Sequence, residues 1–209
     1  MKRFVATTAA AAVLVSLAGT GTAFAQETAA PGRGAVVVSI IPGGATFFTS
    51  GAETKEVSFV NYGLGAGVEV HVNRYLGFEG EVSGALGVKQ DLDFSAGTAS
   101  LKSPSAVSYN GNVVASAANH TGVVPYLTAG VGGLTLLDQT TLGISDTSTF
   151  LTGNVGGGVK WFNGSGRWGL RGDYRFLAVR SNDTAPAFFG QETRYGHSVS
   201  GGVLFRVGR

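Results

Sequence analysis

Few side chains in this sequence are able to do covalent chemistry. There is no cysteine and there are three histidines, His71, His120 and His197. A disulfide scaffold, a thiolate metal centre and a cysteine nucleophile are therefore excluded. A histidine base and a serine nucleophile on one strand face need spacing i, i+2, because successive side chains point to opposite faces. His197 has Val199 at that spacing, while Ser198 and Ser200 fall on the other face. His71 lies on a glycine-rich face beside a short turn and His120 lies in a short turn. Gly156-Gly157-Gly158 sits inside an alternating pattern, with no following helix and no Lys-Ser/Thr pair, so it is no phosphate loop. Asp91, Asp93 and Asp138 match no calcium-loop spacing and read as solvated loop charge. No catalytic residue, cofactor or metal site is expected. The remaining conspicuous charges are Glu69, Glu79, Glu81, Asp173, Lys160, Arg171, Arg175 and Arg206. Each falls on the polar face of a segment whose other face is apolar.

Those segments follow a period of two, the pattern of strands with unlike faces. From Tyr62 to Val72 the even positions are Tyr, Leu, Ala and Val, against Gly63, Gly65, Gly67, Glu69 and His71. From Leu76 to Lys89 the apolar set includes Leu76, Phe78, Val82, Leu86 and Val88, against Glu79, Glu81 and Ser83. Leu151, Val155, Val159 and Trp161 oppose Asn154, Gly156, Gly158 and Lys160. Trp168, Leu170, Tyr174 and Phe176 oppose Arg171, Asp173 and Arg175. Tyr195, His197, Val199, Val203, Phe205 and Val207 alternate with Ser198, Ser200, Gly202 and Arg206. Weaker alternation over Val36 to Phe48, Val107 to Ala118 and Val123 to Leu137 brings the expected strands to eight.

The links between them alternate in length. Short ones fall near Asn73-Arg74, Asn119 to Gly122 and Asn163-Gly164-Ser165-Gly166. Longer polar segments run over Thr49 to Glu56, Gln90 to Ser105, Asp138 to Thr149 and Ser181 to Arg194. Short turns at one end and long loops at the other describe an up-and-down meander whose eight strands can close into a barrel.

Alternation alone leaves open whether the apolar face points into a soluble, lipocalin-like barrel or out into lipid. Of the 34 glycines, many fall on the polar face. On a water-exposed exterior they would only weaken strands. In the narrow interior of an eight-stranded barrel they make room for neighbouring side chains. Tyr62, Tyr75, Trp161, Trp168, Tyr195 and Phe205 fall near strand ends, where aromatic girdles sit at a membrane interface. Strands of roughly 10 to 14 residues suffice to cross a bilayer at a tilt of about 40°. The expected fold is all-β, an eight-stranded antiparallel transmembrane barrel. Its lumen would hold the eight charges as a structural ion-pair network, four of each sign, because confined charge is costly unless paired.

At the N-terminus, Lys2 and Arg3 precede a run of mostly Ala, Val and Leu from Phe4 to Ala18, followed by Ala23-Phe24-Ala25. This is the three-part secretory signal, with cleavage expected after Ala25 and recognised through Ala23 and Ala25. Residues 1–25 are then a leader and 26–209 one barrel domain. The full chain has 15 Lys+Arg against 13 Asp+Glu. Without Lys2 and Arg3 the signs balance, which offers nucleic acid no general attraction.

Val124 to Gly133 (VPYLTAGVGG), Asn154 to Phe162 (NVGGGVKWF), Trp168 to Phe176 (WGLRGDYRF) and the late GGVLF together resemble the small eight-stranded outer-membrane barrels related to outer membrane protein A, the porin-like "outer membrane protein beta-barrel domain" family. The resemblance covers roughly residues 34 to 209. It implies the outer membrane of a Gram-negative bacterium, outer-membrane lipid and lipopolysaccharide as surroundings, and insertion by the assembly machinery. The family's assembly signal looks matched by Ser200, Gly202, Phe205 and Val207. Family members often end on an aromatic residue, whereas this chain ends Val207-Gly208-Arg209. The peptidoglycan-binding domain of larger relatives is not expected.

The role these features imply is structural: a passive barrel presenting four loops for envelope integrity or surface recognition, with an unknown extracellular ligand at the loops. Exposed Leu92, Phe94, Phe188 and Phe189 would suit such a surface. A narrow porin for small solutes is the first alternative, and a lipid A-modifying enzyme, as some eight-stranded barrels are, the second.

Overall fold

Asparagine and glycine set the turns from which the strands rise. Asn73 Oδ1 accepts from the backbone N–H of Tyr75 (2.8 Å) and Leu76 (3.0 Å), and Asn119 Oδ1 accepts from Thr121 N–H (2.9 Å). Such side-chain acceptors replace the backbone partners that a tight reversal removes. In the third short turn Gly166 N–H donates to Asn163 O (2.7 Å), and Gly166 adopts φ 63°, a left-handed conformation that glycine takes without steric cost.

The computed structural model describes residues 31–49, 57–94, 97–117, 119, 121–139, 147–181 and 193–207. Ala23, Ala25, His120, Phe188 and Phe189 lie outside them, and Phe94 is described in its backbone only. The strands are β1 (Val36–Phe48), β2 (Phe59–His71), β3 (Leu76–Gly87), β4 (Lys89–Phe94), β5 (Gly97–Lys102), β6 (Ala106–Ser116), β7 (Val123–Leu136), β8 (Ser148–Phe162), β9 (Trp168–Arg180) and β10 (Arg194–Val207). Eight of them close a barrel in the order β1-β10-β9-β8-β7-β6-β3-β2, every pair antiparallel. This is the expected eight-stranded meander.

Closure depends on β1, which bonds β2 on one side and β10 on the other. Both registers shift in its middle, between Ile40 or Ile41 and Gly43 or Gly44. Pro42, which has no N–H to give a ladder, sits in this bulge. Gly202 of β10 packs against the same irregularity. A Cβ there would come within 2.6 Å of Ile40 O and 3.2 Å of Ile41 Cγ1.

One segment departs from expectation. Gln90 to Ser105 was expected to be a loop, yet β4 and β5 form a separate hairpin there, and β3 stops at Gly87 instead of continuing to Lys89. The ladder breaks because Val88 N–H and Gly87 N–H turn to the hydroxyls of Ser103 and Ser105 (3.0 Å each). The hairpin folds over the long-loop mouth. Leu92, expected to be exposed, is 0% exposed and packs with Phe48, Val57, Phe59, Leu136 and Phe150.

The apolar faces point outward. Leu127 and Val131 are 69% and 67% exposed, and Val68, Val82, Val155, Leu170 and Val199 are exposed too. The buried residues include Ser39, Asn61, Glu69, Glu79, Asn112, Lys160, Arg171 and Asp173. The chain thus has a polar interior and an apolar outer wall, inverting the arrangement of a soluble barrel.

Candidate functional site: the filled lumen

The lumen is stacked in layers. At the short-turn end Val37, Val124, Phe162 and Leu204 form a small apolar plug. Above it Glu69, from β2, ion-pairs with Lys160 of β8 on the far side of the barrel. His71 Nε2 lies 3.1 Å from Glu69 Oε1, close but without hydrogen-bonding alignment. The Lys160 ammonium also sits over the Tyr126 ring, 4.6 Å from its centroid, a favourable position for a desolvated cation.

The next layer is a lattice of two arginines and three carboxylates. Arg171 Nη1 donates to Glu79 Oε2 (2.7 Å), and Arg171 Nε donates to Asp173 Oδ2 (3.1 Å). Arg175 Nη2 reaches Glu79 Oε1 and Glu81 Oε2, both at 2.9 Å. Neutral groups complete the shell. Tyr126 OH donates to Asp173 Oδ2 (2.8 Å), Ser200 Oγ to Asp173 Oδ1 (3.0 Å), and Asn112 Nδ2 to Glu79 Oε1 (3.1 Å). Planar guanidinium forks suit this bidentate bridging, as a lysine would not. All five charged groups are buried. A lattice this densely paired offsets much of the desolvation of its members, whereas a single missing partner leaves an uncompensated charge.

Glycine makes the room. Across the sheet from Asp173 and Arg175 stand Gly158 and Gly156. A Cβ on Gly158 would meet Asp173 Cβ at 2.7 Å, and one on Gly156 would meet Arg175 Cα at 2.8 Å. The glycine-rich polar face is therefore steric clearance for the ions beside it.

Of the eight charges expected in the lumen, the structure brings seven into these two layers. Arg206 departs from the single network. It is half-buried at the short-turn end, its guanidinium 5.1 Å from the Phe162 centroid and beside the Gly166 turn. The reason is position: Arg206 is the last inward residue of β10 before the rim. The expected four-against-four count changes accordingly, with four carboxylates facing three cations and His71 in the two layers. Two participants were missed. Tyr126 precedes the glycine-rich part of β7, in a segment whose alternation is weak in the sequence. Arg194, which closes a long polar segment of the sequence, is the first residue of β10 and 0% exposed at the long-loop end, donating to Val57 O with its guanidinium 5.1 Å from the Phe59 centroid. Alternation with Tyr195 was the available signal for Arg194.

The upper end is closed by a larger apolar cluster of Phe48, Val57, Phe59, Leu92, Leu134, Leu136, Phe150 and Val179 among others. Asn61 ties it to the hairpin: Ser103 Oγ donates to Asn61 Oδ1 (2.6 Å), and Asn61 Nδ2 to Pro104 O (2.7 Å).

The histidine and aspartate candidates are also placed. His197 lies on the outer face, where Nδ1 is 2.6 Å from Tyr174 OH and its ring packs edge-on to Phe176 (5.5 Å). Ser198 points inward to Thr46 (3.4 Å) and Ser200 to Asp173, so His197 shares a face with neither. Asp93 accepts from Thr98 Oγ1 (2.7 Å), and among the described residues no cluster of His, Asp and Glu could hold a metal. Of the expected assembly-signal residues, Ser200 and Gly202 face inward, while Phe205 and Val207 are exposed on the outer wall.

Outside, Tyr75, Trp161, Trp168 and Phe205 are exposed around the short-turn end, and Phe47, Tyr62, Tyr109 and Tyr195 around the other. Trp161 and Trp168 meet edge-on with centroids 5.5 Å apart. Along β10 the rise from Phe205 to Tyr195, at ~3.3 Å per residue and a tilt of ~40°, is about 25 Å, the height of an outer-membrane apolar band. An apolar belt between two aromatic girdles, around a lumen packed with paired charge, defines a transmembrane β-barrel.

The particular kind follows from the sequence match. The model of the family described as "Outer membrane protein beta-barrel domain" matches residues 9–206, and the chain belongs to that family. Among solved structures, Neisserial surface protein A is 15% identical with a TM-score of 0.59, covering 84% of this chain and 98% of that one. The outer membrane protein OprG of Pseudomonas aeruginosa is 14% identical with a TM-score of 0.56, covering 88% and 100%. The N-terminal barrel domain of Pseudomonas aeruginosa OprF is 9% identical with a TM-score of 0.51, covering 85% and 100%. These likenesses are of fold. No curated protein matches the sequence.

Proposed function

We propose that this protein is a non-conducting outer-membrane barrel whose task is to hold a folded surface outside a Gram-negative cell, for envelope integrity or surface recognition. The observation that carries the reading is the blocked lumen: an apolar plug below, two layers of paired charge, and an apolar cluster above. On this reading the four long connections face the exterior. The second is the β4–β5 hairpin, whose Lys89, Asp91, Asp93 and Lys102 are exposed over a buried Leu92. A surface braced in this way presents its charges in a defined arrangement, which suits recognition of a ligand at the loops.

In the same proposal the leader is removed after Ala25, and lipopolysaccharide and phospholipid surround the belt. Ser200, Gly202, Phe205 and Val207 serve insertion by the assembly machinery. Catalysis is not part of it, because His197 is engaged with Tyr174 and Phe176 instead of a serine. Bilayer recording tests the central statement. The purified barrel is expected to give no stable channels, and stable channels altered by Glu81→Gln or Arg175→Gln would favour the narrow porin. Lipid A mass profiles are expected to be the same for the wild type and His197→Ala.

A further inference from the structure

Between the arginine lattice and the upper apolar cluster the lumen keeps a chamber of about 60 Å³. Its floor is Glu81, Asp173 and Arg175, and its walls include Thr152, Asn154 and Ser198. Ala85, Ala106, Leu134 and Val179 line it as well, and these four belong to the apolar cluster that Leu92 of the hairpin completes. Two buried atoms of the lining have no hydrogen-bond partner among the described residues, the acceptor Asn154 Oδ1 and the donor Arg175 Nε, which lies 3.7 Å from Asp173 Oδ1. An ion of either sign would satisfy one of them and repel the other. Water satisfies both, and at ~10–15 Å³ each the chamber has room for roughly four to six molecules.

We propose that this chamber holds a cluster of ordered water and that the β4–β5 hairpin is its outer seal. The hairpin is fastened for that purpose. Gln90 exchanges hydrogen bonds with the Val60 backbone (Nε2 to O, 2.7 Å; N–H to Oε1, 3.0 Å), which lies at the barrel rim. Gln90 Nε2 also reaches Ser103 Oγ (3.0 Å) at the base of the returning strand. Leu92, two residues further on, drops into the cluster above the chamber. Leu92 and Gln90 thus share the inward face of β4, with Asp91 and Asp93 on the outward one. The lattice beneath keeps the chamber shut from below, so opening the hairpin admits solvent to the chamber without creating a pore.

The absence of cysteine permits a direct test. Thr152→Cys puts one thiol in the chamber wall, and Asp91→Cys puts one on the exposed face of the hairpin as reference. Each barrel, refolded in detergent micelles, is treated with a small cationic methanethiosulfonate reagent, and the heated-versus-unheated gel shift checks that it is closed. Thr152→Cys is expected to react at least about 100-fold more slowly than the reference. Adding Leu92→Asp is expected to speed it at least about tenfold with the gel shift retained. Gln90→Ala, which keeps Leu92 but cuts the ties to Val60, is expected to act in the same direction to a smaller extent, and it carries the test if Leu92→Asp does not fold. Labelling of Thr152→Cys at the reference rate would overturn the sealed chamber. Unchanged labelling in folded lid variants would overturn the hairpin as seal. Magnetisation transfer from water to the Asn154 side-chain amide in the unaltered barrel reports the contents, and its absence would overturn the water cluster.

Discussion

Above its small apolar plug the lumen is filled by two opposite chemistries. The lower half of the lumen is filled with charge held by three donors and four carboxylates on strands in continuous ladders. The upper half is filled with Phe, Leu and Val, partly contributed by a hairpin outside the ladder. The two fillings fail differently. Apolar packing loses stability in proportion to the surface and volume removed. A charge lattice is nearly indifferent to removal of a matched pair but intolerant of removal of one member. The lower layer therefore tolerates paired changes better than single ones, while the upper one can vary in sequence provided its volume is kept.

The largest expected effect is at the centre of the lattice. Arg171→Leu leaves Glu79 and Asp173 short of a cation and is expected to cost about 3–5 kcal/mol, read as a lower urea midpoint for the refolded barrel. Lys160→Met should come next, at about 3 kcal/mol, because among the described residues it leaves Glu69 with His71 as its remaining ion-pair partner. In the upper half, Leu92→Ala is expected to cost about 2–3 kcal/mol by leaving a cavity among Phe48, Phe59 and Phe150. The smallest effect is the one that most sharpens the contrast: the double change Glu69→Gln with Lys160→Met is expected to lie within about 1 kcal/mol of wild type. Loss of stability in the double variant equal to the sum of the single ones would mean that the pair acts as independent packing, and the distinction between the halves would fall.

Much of this was legible in the chain. Glu79, Glu81, Arg171, Asp173 and Arg175 could be put on one face from alternation alone, since a period of two is a property of the local backbone. Tyr62, Trp161, Trp168 and Tyr195 likewise announced where the outer wall ends. The hairpin was not legible, because Lys89–Phe94 and Gly97–Lys102 are short, carry Lys89, Asp91, Asp93 and Lys102, and show no long apolar run. Arg194 was hidden for a related reason. Its burial depends on Phe48, Val57 and Phe59, which come from the other end of the chain.

By itself the sequence determined the number of barrel strands, their order, the turns and the two faces of each strand. These follow from side-chain periodicity and turn chemistry, which act over a few residues. Only the tertiary structure decided which charges meet. Glu69 and Lys160, or Glu79 and Arg171, come together because strands far apart in the chain face each other across a lumen too narrow to keep ions separate. It also decided that Arg206 stays at the rim and that a polar hairpin folds inward to close the top. In both cases the outcome depends on how much space remains once all eight strands have closed, a quantity that no single segment contains.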